Sequence, residues 1–293
     1  LEMAQAHARL GSRVTVLEAF KAFGRDDPDL SKIVLAELSR DGIDIRENVK
    51  IANVMKDEAG TYQVSLDEGE IAEKLTGSHL LVAAGRKANV ENLNLEAAGV
   101  EYTPKGITVD SRLRTSNKKI SAIGDVAGGY QFTHVANYHA GIFIRNALFR
   151  LPAKVNYSAV PWVTFTDPEL ANVGLNEAAA REQYGDKIKV LTFPFSDVDR
   201  ARAERQTGGM IKAITTGKGQ ILGAGIVGPH AGELIHPWGL AISGKLKIGA
   251  MASYIAPYPT YGEISKRVAG SYYTPSLFSS RTRAIVKFLS VFG

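Results

Sequence analysis

Arg13-Val14-Thr15-Val16-Leu17-Glu18 reads as a short buried strand that ends on an acid, and its neighbours decide what kind of sheet it enters. Upstream, Leu1, Met3, Ala4, Ala6, Ala8 and Leu10 combine strong helix formers with apolar positions, and Gly11 supplies the stop. Downstream, a second helix is expected over residues 29–41 with Gly42 as its C-terminal cap. Residues 49–56 and 61–66 read as antiparallel strands turning at Glu58-Ala59-Gly60, and 79–84 as another buried strand closed by Gly85. Helix, strand, helix and strands in this order predict an α/β, Rossmann-like portion.

A different pattern begins after Pro152. Pro161 and Pro168 bracket a strand at 162–166, followed by a helix over 177–183, strands at 188–193, 210–215 and 221–227, and a helix from about 231 to 242. Strands interrupted by helices without strict alternation predict an α+β domain, with a boundary near residues 151–156.

The 293 residues, 45% apolar and 22% charged, exclude a disordered or fibrous chain. No run approaches the roughly 18 apolar residues of a spanning helix, and the N-terminus lacks the pattern of a secretory signal, so a cytoplasmic protein is expected. With no cysteine, these residues hold no disulfide, thiolate metal site or dithiol redox centre. Residues 1–150 carry 19 basic and 20 acidic side chains and residues 151–293 carry 16 and 10. After Glu263 there is no acid, only Lys266, Arg267, Arg281, Arg283 and Lys287. No aromatic-basic interleaving accompanies that charge, so no nucleic-acid partner is expected.

Two stretches carry chemistry. A helix, a strand and Glu18 in order match a dinucleotide-binding unit, in which a glycine-rich turn opens the helix and an acid at the strand end accepts from the ribose 2′-OH. The acid is present, and the turn would lie just before Leu1. The second stretch, Thr115 to Asp125, delivers Gly124-Asp125 at the end of an apolar strand; the glycine lets backbone approach a ligand and the aspartate accepts from polyol hydroxyls. Phe132-Thr133-His134 then opens a small-residue helix whose N-terminus can face an electron-rich ring. Taken singly, each stretch also suits an ordinary surface turn.

Further marks are Leu81-Val82-Ala83-Ala84-Gly85-Arg86 with Asn89, Ala122-Ile123-Gly124-Asp125, Pro161 through Glu169 with Val173-Gly174-Leu175, and then Gly228, Ala231, Glu233 and Ile235. In their order and spacing the chain resembles the C-terminal part of the pyridine nucleotide-disulfide oxidoreductases, the family of dihydrolipoamide dehydrogenase, glutathione reductase and mercuric reductase. The resemblance implies that residues 1–78 are most of an NAD(P)H domain, 79–156 the second segment of an FAD domain, 157–272 a homodimerisation domain and 273–293 a basic helical extension. It implies further that Asp125, with Gly85, Arg86 and Gly124, meets FAD, that the Thr133 amide approaches the isoalloxazine, that Glu2 lies near the nicotinamide of NAD(H), and that Glu18 binds its ribose. A small-molecule electron acceptor, hydride transfer from nicotinamide to flavin and a role in redox homeostasis follow from the same likeness.

An N-terminal segment with the FAD glycine loop and a cysteine pair belongs to the family pattern and is not in these residues. The expectation is therefore a C-terminal portion of a longer enzyme, itself inactive and not retaining FAD; a non-catalytic dimerisation module is the alternative. Pro257-Tyr258-Pro259-Thr260-Tyr261-Gly262-Glu263 aligns with the family's His-Pro-Thr segment and its glutamate, which implies catalytic positions at Tyr258 and Glu263. A phenol with an ordinary pKa near 10 is a poor base at neutral pH. Mercuric reductases resemble the chain in this tyrosine but add a C-terminal cysteine pair; a packed interface aromatic is the competing reading.

His7, His79, His134, His139, His230 and His236 are scattered, and no metal site is expected. In the tail, Ile285, Val286, Phe288, Leu289 and Phe292 stand beside Arg281, Arg283 and Lys287, as in an interfacial helix. Docking onto the protein's own dimer is preferred there to a membrane surface.

Overall fold

In the computed structural model, residues 1–67 and 73–292 are described. The chain divides into two compact units, residues 1–79 with 158–293, and residues 80–157.

The first unit begins with α1 (Glu2–Arg9), β1 (Thr15–Leu17), α2 (Pro28–Arg40) and β2 (Asp44–Arg46). β1 and β2 pair in parallel, Val16 opposite Ile45. Asp27 caps α2 by accepting from the Asp29 amide, Pro28 needs no partner in the first turn, and Gly42 past the end takes a φ of +81°. β3 (Ile51–Lys56), β4 (Tyr62–Leu66) and β5 (Lys74–Gly77) form an antiparallel sheet in that order.

The second unit holds only a small hairpin, β6 (Tyr102–Thr103) with β7 (Gly106–Ile107), a one-turn 3₁₀ helix over Gly124–Ala127 and the long α3 (Thr133–Ala147). Ala88, Val90, Leu95, Val100, Ile107 and Ala122 form its core. Two expectations fail here. Residues 79–84 form no strand, and Leu81 and Val82 are 62% and 75% exposed. The apolar run into Gly124 reduces to a single bridge between Arg114 and Ser121. A buried strand needs backbone partners beside it, and among the described residues no strand lies alongside either run.

From residue 158 the first unit resumes with β8 (Pro161–Thr164), β9 (Glu169–Gly174), α4 (Glu177–Tyr184), β10 (Ile188–Pro194), α5 (Asp199–Ala203), β11 (Met210–Thr216) and β12 (Ile221–Gly228). Then come α6 (Ala231–Leu234), α7 (His236–Ser243), α8 (Ile248–Ser253), α9 (Glu263–Ser271), α10 (Thr274–Leu277) and α11 (Ser280–Leu289). The helix expected over 231–242 is divided at Ile235, where Pro237 sits in the first turn of α7 and has no amide to continue the earlier turn.

The strands form a five-stranded antiparallel sheet in the order β10-β11-β12-β9-β8. Its two faces are read from register. Ile211, opposite Ile226 and so in line with Ala171, packs with Phe195, Trp238 and Ile264; Met210, Val227 and Leu170, one residue along each strand, pack instead on Leu30, Val34 and Leu38 of α2. Because both faces are covered, β12 is buried throughout and its sequence is an unbroken apolar and glycine run. Gly225 makes the close approach of α2 possible, since a Cβ there would lie 2.4 Å from Leu30 Cδ1 and 2.9 Å from Asn172 Oδ1.

Candidate functional site

Glu18 stands at the carboxyl end of β1. Its amide bonds to the Arg46 carbonyl at 2.9 Å and its carbonyl accepts from Val49 at 3.1 Å, so the backbone that presents it is pinned on both sides. One carboxylate oxygen accepts from the Phe20 amide at 2.9 Å. Glu2, on the first turn of α1, accepts from the Phe165 amide at 2.6 Å and so ties the helix to the segment after β8.

That segment is the main seam of the unit. Buried Gln5 brackets Asp167, donating to its carbonyl at 2.8 Å and accepting from its amide at 2.7 Å. Arg9 bridges Asp41 and Asp167. Asp26 accepts from the Trp162 indole at 2.9 Å and from Asn172 at 2.8 Å, and burial pushes its carboxyl up against the opposing effects of the Trp162 bond and Arg25. The Pro161-to-Glu169 stretch thus works as the surface to which α1 and the approach to α2 are tied.

Beneath it lies a cluster that the sequence did not signal. Lys212 Nζ, on β11, reaches Asp29 at 2.6 Å, Glu177 at 2.8 Å and Asp27 at 2.9 Å with its side chain 4% exposed. Burial alone would lower the ammonium, but the bonds from Asp29, Glu177 and Asp27 outweigh it and the net shift is upward. The bond from Lys212 holds the Glu177 carboxyl below its ordinary range. A lysine inside a β run, 185 and 183 residues from Asp27 and Asp29, gives no local sign of its role.

In the second unit Gly124, Asp125 and Thr133 are brought together by one turn and the start of α3. Gly124 is buried at φ +69°, and a Cβ there would press on Ala136 at 3.1 Å. Its amide donates to His139 Nδ1 at 3.1 Å, which leaves the ring hydrogen on Nε2 to meet the Tyr157 hydroxyl at 2.8 Å. Burial lowers the His139 pKa, in keeping with a neutral ring. Asp125 is exposed, its carbonyl accepting from Gly128 at 3.1 Å. Thr133 is the first residue of α3, where helix geometry leaves the amide without an intrahelical acceptor. Gly85, at φ +110° with open space around it, and exposed Arg86 lie on the irregular stretch that replaces the expected strand.

Tyr258 and Glu263 are not joined by a hydrogen bond. The Tyr258 hydroxyl donates to Asp199 Oδ2 at 3.1 Å, and that bond, with the aspartate charge, holds the phenol above its ordinary value. Glu263 opens α9 and faces Arg267 at 3.8 Å. Asp199 was not singled out from sequence, because no spacing rule links α5 to a loop some 60 residues on. The neighbouring Tyr261 hydroxyl is shared by Glu204 and Gln206, each at 2.8 Å, and burial followed by the Glu204 bond pushes it up to about 12.

Comparison with known proteins fits this arrangement. Residues 1–140 match the pyridine nucleotide-disulphide oxidoreductase profile, and residues 160–269 match the dimerisation domain of the same family. The chain is 36% identical over 266 residues to a mercuric reductase of Bacillus cereus, covering 90% of this chain and 42% of that protein. It is 33% identical over 265 residues to a dihydrolipoyl dehydrogenase of Bacillus subtilis, covering 89% and 57%. Among solved structures, the HOCl-induced flavoprotein disulfide reductase RclA from Escherichia coli superimposes with a TM-score of 0.82 at 30% identity, over 92% of this chain and 61% of that one. The chain spans about half the length of the curated relatives it matches. Two family profiles in tandem and relatives that share this fold place the chain in the pyridine nucleotide-disulphide oxidoreductase family.

Proposed function

We propose that this chain supplies the nicotinamide-binding, part of the flavin-binding and the dimerisation portions of an FAD-dependent NAD(P)H oxidoreductase that acts as a homodimer in the cytoplasm on a small-molecule electron acceptor. The observation that carries the reading is Glu18 at the tip of β1, held by backbone bonds to Arg46 and Val49, following a helix as in dinucleotide-binding units. Residues 1–78 are assigned to the nicotinamide domain, 79–156 to the FAD domain, 157–272 to the homodimer interface and 273–293 to an extension.

The residues present suit both groups. Exposed Asp125 offers a carboxylate to polyol hydroxyls, the start of α3 at Thr133 offers an amide and the positive helix end to an electron-rich ring, and Gly124 keeps the turn tight enough for both. Gly85 and Arg86 complete that set. FAD, when bound, supplies the chemistry of accepting a hydride and passing electrons on. In the other unit Glu18 accepts from a ribose 2′-OH and repels a 2′-phosphate, so NADH is preferred to NADPH, while Glu2 anchors α1 beside the nicotinamide end.

No cysteine is present among the 293 residues, so thiol chemistry would have to be supplied from outside them. Tyr258, raised rather than lowered by Asp199, is not suited to take a proton at neutral pH, and Glu263 turns to Arg267 rather than to it. We infer that the acceptor differs from a dithiol exchanged through a histidine base.

The test is coenzyme preference in the longest polypeptide that carries this sequence. Glu18→Ala should narrow the NADH-to-NADPH ratio of catalytic efficiencies by about ten-fold or more, on the scale of a lost charge-assisted bond. An unchanged ratio would remove Glu18 from the reading.

A further inference from the structure

The dimerisation match ends at residue 269, and α10 and α11 continue beyond it. α11 buries none of its residues. At 3.6 residues per turn, Phe288, Ile285, Leu289 and Val286 fall on one side of it, and Ser280, Arg283, Lys287 and Ser290 on the other. On that side Ile285, Val286, Phe288 and Leu289 are 48% to 63% exposed, so it has no cover among the described residues. The polar side is of a single sign, because no Asp or Glu follows Glu263.

We propose that α11 is an interfacial helix that lays its apolar side into the headgroup boundary of a bilayer carrying anionic lipids, with Arg283 and Lys287 against the phosphates. An apolar arc opposite a polar one whose charges are all cationic is the pattern such helices share. Arg281, which falls between Phe288 and Ile285 on the apolar arc, reaches the headgroups by extending its stem along the surface. The helix lies on the membrane rather than across it: its ten residues rise about 15 Å, half of the roughly 30 Å hydrocarbon core. Charge selects lipid over a second copy of the chain. Every charge on this helix is positive, whereas a second copy offers a mixed surface of 35 basic and 30 acidic side chains that is itself net positive. An anionic bilayer offers the complementary sign, each nearby cation strengthening partition by about five-fold.

The purified chain is sedimented with vesicles of phosphatidylcholine alone and of phosphatidylcholine mixed with phosphatidylglycerol. It should bind the mixed vesicles and not the neutral ones, and added salt should release it. Leu289→Asp should abolish binding, and Arg283→Gln with Lys287→Gln should weaken it by about 20-fold. Lys218→Glu, an exposed charge on another turn, should matter far less. All these positions are exposed, so unchanged circular dichroism should accompany each variant. Absence of binding to the mixed vesicles, or equal binding to both kinds, would overturn the proposal. So would a Leu289→Asp chain that loses its self-association while the parent ignores vesicles, since the occupant would then be a second copy.

Discussion

Lys212 Nζ lies 2.9 Å from Asp27 Oδ2, and both side chains are 4% exposed. Asp27 is the N-cap of α2 and Lys212 lies on β11, so one buried ion pair fastens α2 to the five-stranded sheet. Removing the lysine would leave Asp27 without its cation and beside Asp29 and Glu177. Lys212→Met should therefore destabilise the chain by about 3 kcal/mol or more, as when a buried pair loses one partner. Urea unfolding measures it; a loss under about 1 kcal/mol would show the cluster to be well hydrated.

The same cluster fixes a lower pH limit. Glu177 is held below its ordinary pKa, so its contribution is present above the unfolded value of about 4.3 and is lost as pH falls through the lower folded one. The Lys212→Met variant should lose less stability than the parent on acidification through that window.

His139 acts nearer neutrality. Its folded pKa is lowered, so the unfolded state takes up a proton first and stability falls as pH drops below about 6.5. Protonation would also turn Nδ1 from acceptor to donor against the Gly124 amide. His139→Gln, which cannot titrate, should flatten this part of the stability profile; an unchanged slope would assign it to other groups.

Gly225 sets how closely α2 can lie on β12. Gly225→Ala would press on Leu30, which is fully buried, and on Asn172 at once. The expected cost is about 1–3 kcal/mol by overpacking, read as a lowered denaturation midpoint.

At Tyr258 the expectation concerns chemistry rather than stability. In the longest polypeptide that carries the sequence, Tyr258→Phe should leave folding and disulfide turnover nearly unchanged, because an exposed hydroxyl bond to Asp199 is all that is lost. Tyr258→His should raise disulfide turnover, by up to the roughly 10²-fold that a placed general base contributes. Full activity in the unmodified protein would show that another group moves the proton.

The elements of the dimerisation domain were legible because each buries its own apolar pattern locally: the β10, β11 and β12 runs and the Asn176-capped α4 fall where periodicity places them. β2, three residues of alternating character, was too short to register. The strand expected over 79–84 was misread because an apolar run states a wish for burial, not the presence of a partner. Gly124, Asp125 and Glu18 were singled out because their signals lie in short stretches of contiguous sequence. Lys212, Asp199 and Gln5 were not, since Lys212 meets Asp27 185 residues away, Asp199 meets Tyr258 59 residues away and Gln5 meets Asp167 162 residues away.

The decisive measurement is anaerobic addition of NADH to the longest polypeptide that carries this sequence, loaded with FAD and followed by flavin absorbance. The flavin band should bleach, faster with NADH than with NADPH; Asp125→Ala should weaken flavin retention, and Glu18→Ala should slow bleaching by NADH. Bound flavin that stays oxidised in the presence of both coenzymes would contradict it.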